Sequence, residues 1–96
     1  MEILYLGTGA SEGWPALFCE CEYCQKAREL GGKNIRTRTS VQVDGRYKFD
    51  FPPDTYHHVL THRLCLADIQ HLIITHCHED HFYWQELDTR RTPFAH

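Results

Sequence analysis

Three histidines and one aspartate lie close together in the second half of the chain, and all four have side chains that bind divalent metal ions. They fall within the six consecutive positions His76-Cys77-His78-Glu79-Asp80-His81. In extended backbone, side chains two residues apart point the same way, so His76 and His78 would face one metal position. A turn after His78 would bring Asp80 and His81 to a second position nearby. Imidazole and carboxylate ligands suit zinc, manganese and iron, so this spacing predicts a site for two divalent ions on one short loop.

A second group of metal-binding side chains, Cys19, Cys21 and Cys24, has the spacing C-x-C-x2-C near the start of the chain. Thiolates at this spacing can converge on one zinc ion, and structural zinc is normally four-coordinate, so a fourth ligand must come from elsewhere. The alternative is that the three thiols are free and unrelated. A zinc knuckle or C2H2 finger is disfavoured, because no paired histidine or fourth cysteine follows at a matching distance. We therefore predict one structural zinc ion at this cluster.

The elements that position the first half of the chain follow from its apolar pattern. The apolar run at residues 3–6 predicts a strand. The following Gly7-Thr8-Gly9 predicts a tight turn and not a phosphate-binding loop, because the lysine and the spacing of a P-loop are missing. Residues 22–30 favour a helix that Gly31 would end. The cysteine cluster thus lies in a loop before a helix.

The elements of the second half lead directly to the histidine loop. Alternating apolar residues at 41–43 and 47–51, separated by Asp44-Gly45, predict a β-hairpin. Pro52-Pro53 ends it, and Asp54 would cap a helix reaching about position 64. The apolar residues of this helix share one face: Tyr56, Val59, Leu60 and Leu64. A buried strand at 72–75 and a last helix at 83–91 complete the order β, α, ββ, α, β, α, which indicates a mixed α/β (α+β) architecture.

Composition excludes several classes of protein. A chain of 96 residues has room for one small domain at most. No apolar run approaches the ~20 residues that a membrane span requires, and the start has no secretory signal, so we predict a cytoplasmic protein without membrane association. Five cysteines, an odd number, disfavour a disulfide framework. The net charge of −3 gives no electrostatic case for nucleic acid. It leaves open a small phosphoester substrate, since metal ions supply positive charge locally.

The other cysteines, histidines and large aromatic residues are interpreted as structural. Cys65 is expected to pack as a small apolar residue of its helix, and Cys77 to point away from the histidines beside it. Surface or helix positions, and not metal ligation, are expected for His57, His58, His62 and His71. Core or pocket-wall positions are expected for Trp14, Phe82, Tyr83 and Trp84.

The segment Thr75-His76-Cys77-His78-Glu79-Asp80-His81 resembles the HxHxDH signature of the metallo-β-lactamase superfamily. The resemblance implies an αββα sandwich with its metal site at one edge. It assigns His76 and His78 to the first metal and Asp80 and His81 to the second. Asp80 is also the candidate catalytic residue, acting as a ligand and not as a proton donor. Asp50 takes the position of an aspartate that supports the histidine loop, although Phe51-Pro52-Pro53 replaces the glycine usual soon after it.

The run at residues 6–15, which leads into the cysteines, is similar to one branch of that superfamily. The branch contains the phosphoribosyl cyclic phosphate phosphodiesterases, and ribonuclease Z is a more distant relative. The resemblance covers essentially all 96 residues but only the first part of a family member. Residues 1–96 are therefore predicted to be the N-terminal part of a single metallo-β-lactamase-like domain. The resemblance implies a phosphodiesterase that acts through a hydroxide held by two divalent ions, zinc or manganese, with iron as a further alternative. It also implies a structural zinc at Cys19, Cys21 and Cys24, with a late histidine as the fourth ligand.

Family members take further histidines, a bridging aspartate and the acid that protonates the leaving group from later segments. After His81 only Asp88 and His96 remain as candidates, so we predict incomplete metal binding and feeble or no activity for these residues alone. Apolar surface of the hairpin and helices would be exposed, which favours association, including a homo-oligomer. The alternatives are a lactonase, thioester hydrolase or β-lactamase of the same fold, and a non-catalytic zinc-stabilised interaction module.

Overall fold

A computed structural model describes all 96 residues of the chain. The strands and α-helices follow in the order β1 (Ile3–Gly7), α1 (Glu22–Leu30), β2 (Ser40–Val43), β3 (Tyr47–Phe49), α2 (Thr55–His62) and β4 (His71–Ile73). Short 3-10 segments cover Gly32–Asn34, Leu66–Asp68 and Trp84–Arg90. The predicted order of elements is therefore confirmed, although the last predicted helix is a 3-10 segment. None of the helices has the length and apolar composition that crossing a bilayer requires.

The four strands form one sheet in the order β1-β2-β3-β4. β2 pairs antiparallel with β1 and with β3, and the turn between β2 and β3 has positive φ at Asp44 and Gly45, as the hairpin prediction requires. β3 and β4 are parallel and are joined through α2, because parallel neighbours need a crossover connection. Their carboxyl ends consequently lie side by side, and the chain leaves them at Asp50 and at Ile74.

The two faces of the sheet differ in polarity and in burial. Ser40, Gln42 and Lys48 lie on the face that α2 covers, and all three are buried. The opposite face presents the apolar residues of the strands and is largely open, with Ile3, Tyr5 and Ile73 exposed. The apolar surface of the hairpin is thus exposed, as predicted. The prediction that the last strand is buried is wrong, because β4 is the edge strand and its outer residues have no covering layer.

Helix α2 turns its polar side toward the sheet, which corrects the predicted orientation. Its buried residues are Thr55 and His58, whereas Tyr56 and Leu60 are 67% and 61% exposed. The predicted cap is also different, because the Asp54 side chain makes no capping hydrogen bond. Its carboxylate instead accepts a hydrogen bond from the backbone N–H of Arg38 at 2.8 Å.

Close backbone approach explains the glycines after β1. A Cβ atom on Gly9 would lie 2.6 Å from the carbonyl oxygen of Arg36, and one on Gly7 would overlap the carbonyl oxygen of Arg38. Gly7 ends β1 and Gly9 pairs with Arg38 in an isolated bridge. The glycines are needed because the segment before β2 crosses directly over them, and not for the tight turn that the sequence predicts.

Candidate metal centre

The histidine loop begins where β4 ends, and hydrogen bonds hold both of its ends against the segment after β3. The Asp50 N–H donates to the Ile73 carbonyl at 2.8 Å. At the other end of the loop, the Phe51 N–H donates to the His81 carbonyl and the Tyr83 N–H donates to the Phe51 carbonyl, each at 2.7 Å. Parallel pairing of β3 with β4 therefore places Asp50 directly under the loop.

Asp50 organises this loop through its buried carboxylate. One oxygen accepts a hydrogen bond from the Thr75 N–H at 2.8 Å, and both oxygens lie 2.9 Å from the Thr75 hydroxyl. The second oxygen lies 2.7 Å from Nδ1 of His81. Burial alone would raise the pKa of Asp50, but the hydrogen bonds from His81 and Thr75 outweigh it and hold the pKa of this carboxyl below its usual value. The supporting position that the resemblance implies for Asp50 is the one it occupies.

This contact orients the His81 ring. An ionised carboxylate only accepts hydrogen bonds, so Nδ1 of His81 carries the proton that it donates to Asp50. Nε2 lies 3.2 Å from Oδ2 of Asp80. A histidine that donates one ring N–H to a carboxylate is oriented to bind a metal through the other nitrogen.

His76, Asp80 and His81 form a compact donor group. Each offers one ligand atom, and these atoms lie within 4.8 Å of one another. His78 stands outside this group, with its ring edge against the His76 ring at 4.7 Å between centroids. The structure thus brings three of the four predicted ligands together, and the division into His76 with His78 and Asp80 with His81 stays a prediction. The donor chemistry of imidazole and carboxylate fits zinc, manganese or iron.

An open groove of about 570 Å³ adjoins the loop. Its walls are formed by Ser11, Arg38, Pro53, Cys77, His78, Glu79 and Asp80. Cys77, which we expected to point away from its histidine neighbours, lines this groove together with His78. Asp80 is the member of the donor group that lines the groove, so a small polar ligand can reach this carboxylate from it.

The three cysteines of the first motif also converge. One sulfur from each of Cys19, Cys21 and Cys24 lies within 4.8 Å of the others, and all three thiols are free. Cys21 occupies the N-cap position of α1, where its sulfur accepts from the Cys24 N–H at 3.5 Å. This bond, with a second from Cys19, lowers the pKa of Cys21. Three soft thiolate donors fit one zinc ion, with the fourth ligand still to be supplied.

The pKa of Cys24 moves the other way. A backbone hydrogen bond at Ala16 acts to lower it, but burial and the neighbouring thiols Cys19 and Cys21 outweigh that effect and raise it. The crowding of three thiols thus favours the protonated form of Cys24, the innermost of the three, unless a bound cation replaces the proton.

Several predictions about the remaining residues need correction. His58 lies in a helix, as expected, but on the buried side of α2, with Nε2 2.7 Å from the Thr37 hydroxyl, and burial lowers its pKa to about 4. Cys65 is exposed and does not pack in the core, because α2 ends before it at His62. Trp14 and Trp84 are also largely exposed. None of His57, His58, His62 and His71 joins a donor group.

Two contributors to the site were missed from the sequence. Thr75 adjoins the histidines, and its hydroxyl and N–H tie the loop to Asp50; a hydroxyl residue directly before the motif was the available signal. Arg38 lines the groove from the segment before β2. No local pattern reveals that contact, since it depends on how distant parts of the chain cross.

Comparison with known proteins places these features in a family. No family model matches the chain. Over 83 residues, 86% of the chain, the sequence is 30% identical to ribonuclease Z of Staphylococcus carnosus, and the match spans 23% of that protein. Over 45 residues it is 40% identical to coenzyme PQQ synthesis protein B of Bradyrhizobium diazoefficiens, spanning 15% of that protein. The chain thus covers less than a quarter of these relatives.

Two solved structures share the fold. The crystal structure of a new diphosphatase from the PhnP family matches with a TM-score of 0.72 and 31% identity over 92% of this chain and 34% of that one. Zinc-bound PqqB from Methylobacterium extorquens matches with a TM-score of 0.71 and 25% identity over 86% of this chain and 32% of that one. The chain belongs to the metallo-β-lactamase-fold family and corresponds to the N-terminal part of that fold.

Proposed function

We propose that this chain supplies the principal metal-binding loop of a metal-dependent hydrolase that cleaves small phosphoesters, foremost phosphodiesters. The observation that carries the proposal is the convergence of His76, Asp80 and His81 above the buried carboxylate of Asp50. The buried carboxylate orients His81 so that its other ring nitrogen faces Asp80, a second candidate ligand.

The phosphoester preference is supported by the proteins that the chain is similar to. A diphosphatase and a ribonuclease are among them, and both names denote cleavage of a bond between phosphorus and oxygen. The fold alone supports many chemistries, so the substrate class must be tested directly.

The residues of the chain have distinct tasks in this proposal. Asp50 orients His81, and Thr75 fixes Asp50 in turn. His76, His78, Asp80 and His81 would hold up to two divalent ions, with Asp80 as the catalytic carboxylate, in the role of ligand. Two such ions would lower the pKa of bound water toward neutrality and would stabilise negative charge on phosphoryl oxygens. The groove beside Asp80 admits the substrate.

A structural zinc ion at Cys19, Cys21 and Cys24 belongs to the same proposal. The three sulfurs converge before α1, and Cys24 is buried within the turn that starts this helix. Zinc there would fix the loop of residues 14–24 to the helix. Catalysis requires the histidine loop and not this cluster.

Metal analysis of two variants of the whole chain tests the proposal. His81→Ala should lose metal from the histidine loop and keep the zinc of the cysteine cluster, whereas Cys21→Ser should do the reverse. If only Cys21→Ser loses metal, the chain is a zinc-stabilised interaction module and the enzyme proposal is wrong.

Substrate class is tested on the metal-loaded protein with bis-p-nitrophenyl phosphate, a lactone panel and a cephalosporin. We expect measurable hydrolysis of the phosphodiester alone, at a low rate for these residues by themselves, and its loss in His81→Ala. Hydrolysis of the lactones or the cephalosporin with no phosphodiester turnover would contradict the proposed substrate class.

A further inference from the structure

Arg38 is the one permanently cationic side chain among the residues that line the groove beside the metal ligands. It comes from the segment that precedes β2, and Gly9 fixes its backbone through an isolated bridge. The groove therefore brings an arginine and the metal-binding carboxylate Asp80 to a common cavity, although they are far apart in sequence.

Asp54 holds Arg38 in place. Oδ2 of Asp54 accepts from the Arg38 backbone N–H at 2.8 Å and lies 3.2 Å from Nε of the same residue. The side chains of both residues are only 21% exposed. Asp54 stands at the start of α2 but makes no capping bond there, so its carboxylate is committed to the arginine. The carboxylate thus fixes the Arg38 backbone by a hydrogen bond and attracts Nε by charge alone, since Nε makes no hydrogen bond.

The outer end of Arg38 has no acidic partner. The ion pair to Asp54 uses Nε and leaves both terminal nitrogens without a carboxylate. Nη1 lies close to Gly13: a Cβ atom added to Gly13 would stand 3.4 Å from this nitrogen. The planar fork of a guanidinium is suited to binding phosphate oxygens bidentately, and no carboxylate pairs with the terminal nitrogens of Arg38. Ser11 adds a hydroxyl to the same groove, and this hydroxyl would exchange its long 3.4 Å hydrogen bond to Glu12 for one to the anion.

We propose that Arg38 and Ser11 form an anion subsite that binds a second phosphoryl group of the substrate, so that the preferred substrates are diphosphate esters. This inference rests on the proposed function, since the first phosphoryl group would be held at the histidine loop. Glu79 and Asp80 line the groove as well. When no metal ion is bound at the histidine loop, these two carboxylates repel an anion. A ligand with two anionic groups therefore gains from both ends of the groove only when the metal site is loaded.

Calorimetric titration of zinc-loaded chain, freed of excess zinc, with inorganic pyrophosphate and with orthophosphate tests this subsite. Arg38→Gln should weaken pyrophosphate binding by about tenfold to a hundredfold, the loss expected for charge-assisted hydrogen bonds. The affinity for orthophosphate, which needs only the metal end of the groove, should fall by about twofold or less in Arg38→Gln. Arg38→Lys keeps a positive charge beside Asp54 but loses the planar fork of the guanidinium. Its affinity for pyrophosphate should lie between those of the native chain and Arg38→Gln.

Arg36→Gln is the matched control, because it removes the same charge from a nearby arginine that bonds to Thr8 and lines a different cavity. It should leave both affinities unchanged. Equal weakening of pyrophosphate by Arg36→Gln and Arg38→Gln, equal loss of both ligands in Arg38→Gln, or no binding of pyrophosphate to the native chain would each overturn the inference. These are binding measurements, so absence of hydrolysis would count against the proposed function and not against the subsite.

Discussion

Nδ1 of His81 donates a hydrogen bond to Oδ2 of Asp50 over 2.7 Å, across 31 positions of sequence. The contact exists because β3 and β4 are parallel neighbours whose ends meet at one edge of the sheet. It fixes the proton on Nδ1 and directs Nε2 toward Asp80, the neighbouring candidate ligand 3.2 Å away. The donor group depends on this relationship as much as on its own ligands.

Asp50→Asn should lower metal affinity at the histidine loop by about 10- to 100-fold, the range seen when a carboxylate behind a histidine ligand is removed. Asparagine tolerates the positive φ of 65° at this position, so the backbone is kept. Its amide would present N–H groups or a weaker acceptor to His81 and disturb the tautomer. Competition with a chromophoric zinc chelator measures the change.

Asp68→Asn is the control for charge, because Asp68 is an exposed residue of a 3-10 segment away from the loop. It should bind metal like the native chain. Unchanged affinity in Asp50→Asn would mean that the buried carboxylate serves the fold alone.

Gly9→Ala should destabilise the fold by about 1–3 kcal/mol, as overpacking does. Its Cβ atom would lie 2.6 Å from the backbone oxygen of Arg36, which cannot rotate away as a side chain can. Gly45→Asn is the comparison, because Gly45 has open space around it and a φ of 64° that asparagine accepts. It should cost less than about 1 kcal/mol. Urea unfolding followed by circular dichroism compares the two, and similar losses would contradict the close approach.

The sequence predicts the order of elements and the ligand motifs because both depend on local spacing. Residues 22–30 form α1 as expected, with Gly31 at its end, and Asp44-Gly45 makes the hairpin turn. These features are decided within a few residues. The orientation of α2 and the sheet is not decided locally. Periodicity reveals which residues share a face but not which face another layer covers.

The buried polar face shows why that orientation could not be predicted. Hydrogen bonds lower the cost of burying His58 and Lys48: Nε2 of His58 pairs with the Thr37 hydroxyl and Nζ of Lys48 donates to the Ser40 hydroxyl. Nδ1 of His58 is buried without a partner. The partner of His58 comes from the segment leading into β2, 21 positions away, and the partner of Lys48 from the adjacent strand β2, 8 positions away. Without knowledge of these pairs, the apolar residues Tyr56 and Leu60 are the natural choice for the inner side of the helix, and they are in fact exposed.

Cys24→Ser should remove one zinc ion per chain, since a serine hydroxyl is a poor ligand in place of a thiolate. Cys65→Ser should remove none, because Cys65 is exposed and outside the cluster. Metal analysis after gel filtration gives the stoichiometry. Zinc that binds only the folded chain stabilises it, so the melting temperature should also fall in Cys24→Ser. The fall should be roughly 10 °C when the free zinc concentration is far above the dissociation constant of the native cluster. Equal zinc content in both variants would show that the cysteines hold no metal.

Lys48 is a buried amine beneath α2, with 1% of its surface exposed. Nζ donates to the Ser40 hydroxyl at 2.6 Å and lies 5.9 Å from the centre of the Phe51 ring. Burial lowers the pKa of Lys48 from 10.5 to about 8, and the charge of Asp50 offsets only part of that effect. A lowered lysine pKa means that the folded state binds the proton less tightly than the unfolded state does.

Lys48→Met should therefore raise the free energy of unfolding at pH 7 by about 1–3 kcal/mol, because the cost of burying a protonated amine disappears. Below about pH 8 both states of the native chain are protonated at Lys48, and the folded state carries this cost in full. Between about pH 8 and 10.5 the folded chain loses its proton first, so the stability of the native chain rises toward that of the variant. Denaturant titrations at pH 7, 9 and 10.5 follow the convergence, with the exposed Lys26→Met as the control that should show none. A stability difference that stays constant over this range would mean that the amine is not desolvated, and that packing alone separates the two chains.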